Sequence, residues 1–418
     1  MNPLESTIAT TTASSLGMPR AGAARRATAS MRAVCGMLES LRGGSLAMHL
    51  ADGDALVFGH GAPIAAMHLN DLSLFDAVLT QGDIGLAETY IDGCWDSPDL
   101  PRLLTLLADN RESLSRAVYG SFFRLLMARI KHALNANTRS GSRRNIMAHY
   151  DLGNDFYQQW LDPTMSYSAA LFSSDDTRPM AAAQLAKYRR ILRQLDVKPG
   201  DRILEIGCGW GGFAETAARE ANAVVHGVTL SPAQLEWAQA RMQAAGLEQQ
   251  VTLELIDYRD LSGSYDHVVS IEMFEAVGER WWPTYFRTLE KLLAPGGHAL
   301  IQTITIRDEL FSRYRRGTDF IQQCIFPGGM LPSPTVFARQ AAGAGFVVRD
   351  AFAFGQGYAK TLSGWASAFE QSWPAIARLG FDERFHRLWR FYLAYCEAGF
   401  RSGCTDVYQF ELMRQAGR

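Results

Sequence analysis

The sequence lacks the features that mark several large classes of protein. Its 418 residues include six cysteines, whose spacing matches neither a metal site nor a disulfide framework, as is usual in a reducing cytoplasm. No stretch of about 18 residues is both apolar and uncharged, so we predict no membrane-spanning helix. The formal net charge of −2 gives no general attraction to polyanions, and we predict no nucleic-acid partner.

The first 30 residues also lack the apolar core of a secretory signal peptide. They are rich in Ala, Ser, Thr and Arg. We expect residues 1–30 to form a disordered tail, with a transit-like or surface-binding amphipathic segment as the alternative.

The rest of the chain is long enough for at least two domains. Residues 31–120 are predicted to form an N-terminal α/β domain, with strands at 44–50 and 55–58 around a turn. Residues 121–145 read as a basic helical linker, which is either a solvated connection or an electrostatic contact with anionic phospholipid. Residues 146–418 are predicted to form the larger, catalytic domain.

The most informative stretch runs from Arg202 to Phe213. An apolar, strand-like run leads into closely spaced glycines and then into a helix-like segment. Such a turn presents backbone N–H groups and a helix N-terminus to a ligand. The pattern G-x-G-x-G-G and the nearby carboxylate of Glu205 favour S-adenosylmethionine, and NAD is the alternative.

Strands and helices alternate after this turn. Strands are predicted at 202–206, 224–228, 251–256, 266–271 and 298–304. Helices of ordinary length between them predict an α/β fold with a parallel, doubly wound sheet. Ligands of such sheets bind beyond the carboxyl ends of the strands, so the residues that follow each strand are the candidates for the site.

Several strand ends carry suitable polar side chains. Thr229 and Gln234 flank the second strand end, where a ribose would lie. Asp257 can accept a hydrogen bond from the amine of adenine, and Tyr258 can stack on a base. Glu275 follows the fourth strand among apolar residues, so we expect a partly buried carboxylate with a raised pKa that takes part in proton transfer.

These segments together resemble the cyclopropane-fatty-acyl-phospholipid synthases and the related mycolic acid cyclopropane synthases. Residues 85–105 also resemble the family's N-terminal lipid-associated domain. The motifs that carry the resemblance are His149-Tyr-Asp-Leu-Gly-Asn-Asp-Phe, Met165-Ser-Tyr-Ser, Leu204-Glu-Ile-Gly-Cys-Gly-Trp-Gly-Gly, Val228-Thr-Leu-Ser, Asp257-Tyr-Arg-Asp, Met273-Phe-Glu, Phe326-Pro-Gly-Gly and Tyr358-Ala-Lys-Thr-Leu.

The resemblance implies a class I methyltransferase fold with a seven-stranded, mostly parallel sheet. It also implies transfer of a methylene group from S-adenosylmethionine to the cis double bond of an unsaturated phospholipid acyl chain. A carbocation forms and loses a proton to a bound bicarbonate, which closes a cyclopropane ring. The bicarbonate ligands implied for this chain are Glu275, Gln302, Tyr358 and the backbones of Ile304 and Ala169.

The resemblance also implies the residues that bind the methyl donor. A late cysteine of the family corresponds to Cys396, which we interpret as a structural or pocket residue because methylation of an alkene needs no thiolate. The implied cofactor-binding residues are Tyr167, Ser168, Glu205, Gly207, Cys208, Gly209, Trp210, Gly211, Thr229, Leu230, Ser231, Gln234, Asp257, Tyr258 and Arg259.

Two positions depart from the family pattern. Ala169 replaces the usual cysteine, and because that contact is through the backbone, alanine should be tolerated. Gln302 replaces the usual histidine, and an amide can donate a hydrogen bond but cannot carry charge. If proton loss is diverted to another carbon, the product is a methyl- or methylene-branched chain instead of a ring.

Four functional hypotheses follow, and the leading one is a cyclopropane-forming lipid synthase. The others are a lipid C-methyltransferase with a branched product, a non-catalytic lipid-binding protein, and a methyltransferase for a soluble small molecule. For the leading hypothesis we expect a cytoplasmic protein at the inner face of the membrane, peripheral contact with anionic lipid, and a homodimer as the family implies. No metal is expected.

Overall fold

The computed structural model describes residues 28–62, 64–114, 152–173 and 177–415. Most of the predicted tail, the basic linker and the start of the motif at His149 lie outside these ranges. Among the described helices, none has the length and apolar character needed to cross a membrane.

The N-terminal unit is a four-stranded sheet with helices packed against it. The sheet has the order β2-β1-β3-β4, with β1 antiparallel to β2 and parallel to β3. The predicted turn closes the first hairpin, where the Leu50 amide donates to the Asp54 carbonyl over 2.8 Å. The elements are α1 (Ala29–Leu38), β1 (Gly44–Leu50), β2 (Ala55–His60), β3 (Ile64–Leu69), α2 (Ser73–Gln81), α3 (Asp83–Ile91), β4 (Trp95–Asp96) and α4 (Leu100–Asp109).

The larger unit is built on a seven-stranded sheet of order β10-β11-β9-β8-β5-β6-β7. Strands β5 to β9 pair in parallel, whereas β11 pairs antiparallel with β9 and β10. Its elements are α5 (Asn154–Gln158), α6 (Met180–Gln194), β5 (Arg202–Ile206), α7 (Gly212–Ala221), β6 (Val224–Thr229), α8 (Pro232–Ala245), β7 (Val251–Leu255), β8 (Tyr265–Ile271), α9 (Trp282–Leu292), β9 (Leu293–Ile306), α10 (Asp308–Tyr314), α11 (Pro334–Gly343), β10 (Phe346–Ala353), α12 (Gly355–Arg378), α13 (Glu383–Arg401) and β11 (Thr405–Arg414).

This sheet confirms the predicted class I methyltransferase architecture. The five strands predicted from the alternation are present, and Ser231 caps α8 as expected, because its side chain accepts a hydrogen bond from the Gln234 amide. Strand β9 begins at Leu293, earlier than the predicted start at residue 298, and therefore includes residues 295–297. That segment is an irregularity inside β9, where the register with β8 shifts and Gly296 has a φ of +79°.

Helix α13 joins the two units. Its Arg387 guanidinium donates to the carbonyls of Tyr90 and Trp95 over 2.6 and 2.9 Å and pairs with the Asp96 carboxylate over 3.0 Å. Apolar residues of the N-terminal unit and of α12 and α13 belong to one continuous core. The same helix carries Tyr392 and Cys396, so the N-terminal unit supports a wall of the candidate site.

Candidate active site

A cleft of about 160 Å³ lies at the carboxyl end of β5, beside the glycine-rich turn. Gly207 and Gly211 have φ values of +84° and +80°, which glycine adopts without steric cost. A Cβ on Gly207 would lie 3.1 Å from the Met273 side chain, so larger residues are also excluded by space. Helix α7 begins at Gly212; in its first turn the Ala214 amide donates to the Glu205 carboxyl, and Gly212 and Phe213 line the cleft.

All but two of the predicted cofactor-binding residues line this cleft. Gly211 instead packs against Ala238 of α8, and Ser231 serves as the cap of that helix. The predicted residues that line the cleft are Tyr167, Ser168, Glu205, Gly207, Cys208, Gly209, Trp210, Thr229, Leu230, Gln234, Asp257, Tyr258 and Arg259.

Glu205 places a buried carboxyl group at the cleft. Its Oε2 atom has no hydrogen-bond partner within the described ranges. Burial raises the pKa of Glu205 well above its usual value, and the hydrogen bond from the Ala214 amide and the charges of Lys187 and Arg241 oppose only part of this effect. A buried acceptor beside the N-terminus of α7 suits a ligand that ends in an ammonium and a carboxylate. These residues therefore fit the methionine part of S-adenosylmethionine.

The strand-end side chains on the other side of the cleft are held in place by one another. The Asp257 carboxylate pairs with the Arg259 guanidinium over 2.5 Å and accepts a hydrogen bond from its backbone amide over 3.0 Å. The Thr229 hydroxyl donates to the Gln234 side chain over 3.0 Å. These contacts order the residues predicted to bind the adenosine end before any ligand arrives.

Glu272 is the centre of the predicted catalytic cluster, although the sequence interpretation assigned that role to Glu275. Its Oε1 accepts hydrogen bonds from the Ala169 backbone amide and from the Gln302 side chain, each over 2.8 Å. Its Oε2 accepts one from the Tyr358 hydroxyl over 2.7 Å. The residue directly follows β8 with a left-handed φ of +49°, a conformation that costs on the order of 1 kcal/mol for a residue other than glycine.

Glu275 lies one short turn further along the chain and has fewer donors. Its Oε1 accepts a hydrogen bond from the Ile304 amide over 2.5 Å, and its Oε2 has no partner within the described residues. Burial and the neighbouring charge of Glu272 raise the pKa of Glu275 to about 8. Glu275 is therefore predominantly protonated at neutral pH.

The hydrogen-bond donors distinguish Glu272 from Glu275. Burial raises the pKa of Glu272 above its usual value, and the Lys187 charge and the three hydrogen bonds oppose only part of this effect. Donors directed at a carboxylate favour its ionised form, whereas an adjacent negative charge favours the neutral form of Glu275. The two carboxyl groups thus differ in how strongly their surroundings favour the ionised form, which makes Glu272 the better candidate for a base.

The predicted bicarbonate does not fit this arrangement. Each of its implied donors already donates to a carboxylate of the protein: the amide of Ala169, the Gln302 side chain and the Tyr358 hydroxyl to Glu272, and the Ile304 amide to Glu275. The physical reason is that Glu272 projects its own carboxylate among the donors, so the single N–H groups of Ala169 and Ile304 and the Tyr358 hydroxyl are already used by carboxylates of the protein.

Lys187 of α6 is a second residue that sequence reasoning missed. It is fully buried, and its Nζ lies 2.5 Å from the Ser168 hydroxyl. Burial lowers its pKa to about 8, against the opposing charges of Glu272, Asp162 and Glu205. A buried ammonium is tolerated only near carboxylates, so Lys187 and these groups form one charge-balanced cluster between cleft and base.

Aromatic side chains surround Glu272 on the substrate side. Tyr358 packs on Phe400 with a centroid separation of 4.4 Å, and the hydroxyl groups of Tyr167 and Tyr392 are hydrogen bonded over 2.7 Å. Burial raises the pKa of the nearby Cys396 thiol far above its usual range. Cys396 therefore remains a thiol at neutral pH, and its interpretation as a structural or pocket residue stays a prediction.

Of the two residues that sequence reasoning missed, Glu272 had a signal in the sequence and Lys187 had none. Glu272 directly follows the fourth predicted strand, as does the motif that contains Glu275. A strand-end carboxylate was therefore expected, but the choice between two glutamates depended on contacts with distant segments. Lys187 lies in an ordinary amphipathic helix, and no local pattern distinguishes it from a solvent-exposed lysine.

Comparison with known proteins places the chain in a family. A family model described as mycolic acid cyclopropane synthetase matches residues 137–410. The chain belongs to this family. It is 42% identical over 362 residues to the tuberculostearic acid methyltransferase UfaA1 of Mycobacterium tuberculosis, which covers 85% of this chain and 84% of the relative. It is 37% identical over 357 residues to the cyclopropane-fatty-acyl-phospholipid synthase of Escherichia coli K12, with coverages of 85% and 89%.

A solved structure of this family supports the same assignment. The mycolic acid cyclopropane synthase CmaA1, complexed with SAH and CTAB, is 33% identical, with a TM-score of 0.61. The match covers 65% of this chain and 97% of that chain. The family membership and the cleft together identify an S-adenosylmethionine-dependent methyltransferase. Two relatives of similar coverage bear different activity names, so the product has to be argued from the site.

Proposed function

We propose that the protein methylates the cis double bond of an unsaturated acyl chain in membrane phospholipid. The observation that carries this proposal is the carboxylate of Glu272, held by three donors beside the cofactor cleft. S-adenosylmethionine supplies an electrophilic methyl group, and an alkene attacks such a methyl to leave a carbocation. A base that removes one proton from this cation completes the reaction, and Glu272 is that base.

The atoms and charges balance with no further reagent. One carbon–sulfur bond breaks, one carbon–carbon bond forms, and the sulfonium becomes a neutral thioether. Glu272 takes the proton, and its three donors keep the carboxylate in position. The Tyr358 and Tyr167 rings present π faces that stabilise a nearby cation. The neutral carboxyl group of Glu275 carries no negative charge, so it does not compete with the Glu272 carboxylate for the proton of the carbocation.

The ring-forming reaction is the first candidate product. Addition of the methyl group to one alkene carbon leaves the positive charge on the other alkene carbon. If Glu272 then removes a proton from the transferred methyl, the released electron pair forms a bond between the methyl carbon and the cationic carbon and closes a cyclopropane. The donors that hold Glu272 are those expected to hold the base in this family, which supports removal of that proton.

A branched product is the second candidate. A hydride shift that precedes proton loss moves the charge to the methyl-bearing carbon, and loss of a proton from the transferred methyl then leaves a methylene branch, C=CH2, on the open acyl chain. Gln302 favours this outcome, because its neutral amide donates to Glu272 and accepts from Gln409 over 2.9 Å and so carries no charge that would speed proton removal. The 42% identity to UfaA1 points in the same direction.

The remaining features of the function are also proposals. The acyl substrate implies that the protein acts at a membrane surface from the cytoplasm, in contact with anionic lipid, as a homodimer like its family. A soluble small-molecule acceptor is the competing proposal, and it leaves the apolar and aromatic surroundings of Glu272 without a role.

Mass spectrometry of lipid products tests the proposal. The protein is incubated with S-adenosylmethionine and vesicles of 1-palmitoyl-2-oleoyl-phosphatidylglycerol, and the fatty acids are analysed before and after mild hydrogenation. A gain of one methylene unit that resists hydrogenation identifies the ring. The same gain followed by uptake of hydrogen identifies the branch. Failure to modify the lipid, with the donor bound, would reject the acyl substrate.

A further inference from the structure

A second cavity, of about 230 Å³, lies between the N-terminal unit and the larger unit. We call it the interface cavity. Its walls are mainly apolar and come from both units, for example Leu46, Met67 and Phe75 on one side and Leu310 and Leu331 on the other. The apolar part of a space of this size can hold hydrocarbon.

The interface cavity adjoins the catalytic cluster but does not include it. Neither the glycine-rich turn nor Glu272, Glu275 or Tyr358 lines it. Ile306 does line it, two residues along β9 from Ile304, which corresponds to about 7 Å. A molecule that filled the cavity would therefore lie beside an acyl chain reacting at Glu272 and could be joined to it.

The charged groups of the cavity favour an anion at one end. Arg313 lines it and is exposed to solvent, and Arg111 lies deeper. The carboxyls of Asp83 and Asp319 are buried there, and Asp83 accepts a hydrogen bond from the Tyr395 hydroxyl over 2.6 Å.

The two carboxyls do not cancel this positive charge. Burial raises the pKa of both, and the charge of Asp83 helps to bring the pKa of Asp319 to about 7. Near neutral pH the pair therefore shares a proton and opposes two guanidinium groups with less than two negative charges. The net local charge is positive.

We propose that the interface cavity holds the acyl chain of the phospholipid that does not react, with the phosphate near Arg313. This inference rests on the proposed function, because it assigns a diacyl phospholipid as the substrate. An acyl chain that enters beside a cation has its glycerol-phosphate end there. If the far end of the reacting chain lay here instead, only an apolar methyl group would reach Arg313, and a methyl group makes no electrostatic interaction with a guanidinium group.

The N-terminal unit then has a direct part in substrate selection. The cavity exists only where its α1, α2 and α4 meet β9, α10 and α13 of the larger unit. A lipid with two chains fills both the catalytic cluster and the interface cavity. A lipid with one chain leaves the interface cavity empty and therefore lacks the binding free energy that burial of a second chain would contribute.

A cavity-filling variant and a matched control test this assignment. Ala108→Phe places a ring in the interface cavity, whereas Ala33→Phe makes the same change on the exposed side of α1. The substrates are 1-palmitoyl-2-oleoyl-phosphatidylglycerol and 1-oleoyl-lysophosphatidylglycerol in the same detergent micelles. We expect Ala108→Phe to lower kcat/KM about tenfold for the two-chain lipid and less than about twofold for the one-chain lipid. Ala33→Phe should change neither.

Two results would overturn the assignment. Equal losses on both lipids would mean that the cavity holds the reacting chain or that the variant is misfolded, and thermal unfolding of both variants separates these cases. Unchanged activity on both lipids would mean that the cavity is not used. Arg313→Gln provides a second variant on an exposed side chain, and it should weaken use of the two-chain lipid with a reduced dependence on salt.

A binding measurement separates this inference from the proposed reaction. Dipalmitoyl-phosphatidylglycerol has no double bond, so its retention in native mass spectrometry reports binding without turnover. If the wild-type protein retains it and Ala108→Phe does not, the cavity assignment holds even where no unsaturated lipid is methylated. If methylation occurs but Ala108→Phe retains the saturated lipid as well as the wild type does, the cavity assignment fails and the proposed function stands.

Discussion

The Tyr358 hydroxyl donates a hydrogen bond to the Glu272 carboxylate over 2.7 Å. The two residues are 86 positions apart, at the end of β8 and in the first turn of α12. Together with the amide of Ala169 and the side chain of Gln302, Tyr358 turns a strand-end carboxylate into an oriented base. The protein thereby supplies from its own chain the oxyanion that the resemblance assigned to bicarbonate.

The first prediction separates the two glutamates of the cluster. Glu272→Gln should lower kcat by at least about a hundredfold, because an amide cannot take up the proton. Glu275→Gln should remain within about threefold of the wild type at pH 7, because an amide resembles the neutral carboxyl already present there. Single-turnover assays with unsaturated vesicles measure both, and isothermal titration with S-adenosylhomocysteine shows whether the cleft is intact. A larger loss of kcat in Glu275→Gln than in Glu272→Gln would show that Glu275 is the base.

The second prediction concerns the dependence of stability on pH. The pKa of Glu275 is raised from 4.5 in the unfolded chain to about 8 in the folded protein. The folded state therefore binds more protons between these values, and its stability falls as pH rises through the window. Glu275→Gln removes this contribution, so its stability relative to the wild type should increase from pH 5 to pH 8 by up to about 4 kcal/mol.

Urea unfolding of the wild type and Glu275→Gln at several pH values measures this difference. The comparison between the two proteins is needed because burial also raises the pKa of Asp319, to about 7, which gives a slope of the same sign in both. Parallel stability curves for the two proteins would show that Glu275 is ionised throughout the window.

The third prediction concerns Lys187. Its charge lowers the pKa of Glu272, against the effect of burial. Lys187→Met should therefore raise the pKa of the base and move the acidic limb of the kcat/KM profile to higher pH, with activity recovered as pH increases. Lys187→Arg keeps the charge and should keep the wild-type profile if the larger side chain is accommodated. A uniform loss of activity at every pH in Lys187→Met would indicate a packing role instead.

The fourth prediction concerns the contact between α13 and the N-terminal unit. Arg387 is 14% exposed and binds two carbonyls and a carboxylate of that unit. Arg387→Met removes two hydrogen bonds from a charged donor and a partly exposed ion pair, and should reduce the free energy of unfolding by about 2–3 kcal/mol. The matched control is Arg384→Met, because the Arg384 side chain is 62% exposed in its pair with Asp92 and should contribute less than about 1 kcal/mol. Urea denaturation measures both, and equal effects would contradict the proposed anchor.

The sequence by itself determined the large-scale organisation of this protein. Alternating strands and helices and the glycine-rich turn are local patterns, since periodicity and glycine content depend on neighbouring residues. They specified the methyltransferase sheet, the position of the cofactor cleft and most of the residues that line it. The order of the motifs also indicated the family, because each motif keeps its place along the chain.

Only the tertiary structure decided which carboxylate receives three hydrogen-bond donors and is therefore the proposed base. Glu272 and Glu275 are three residues apart and belong to the same strand-end segment, so local sequence ranks neither above the other. The choice depends on Ala169, Gln302 and Tyr358, which come from three distant segments, and on the left-handed backbone that turns Glu272 toward them. Hydrogen bonding and burial set protonation, and both arise from packing between elements that the chain brings together only when it folds.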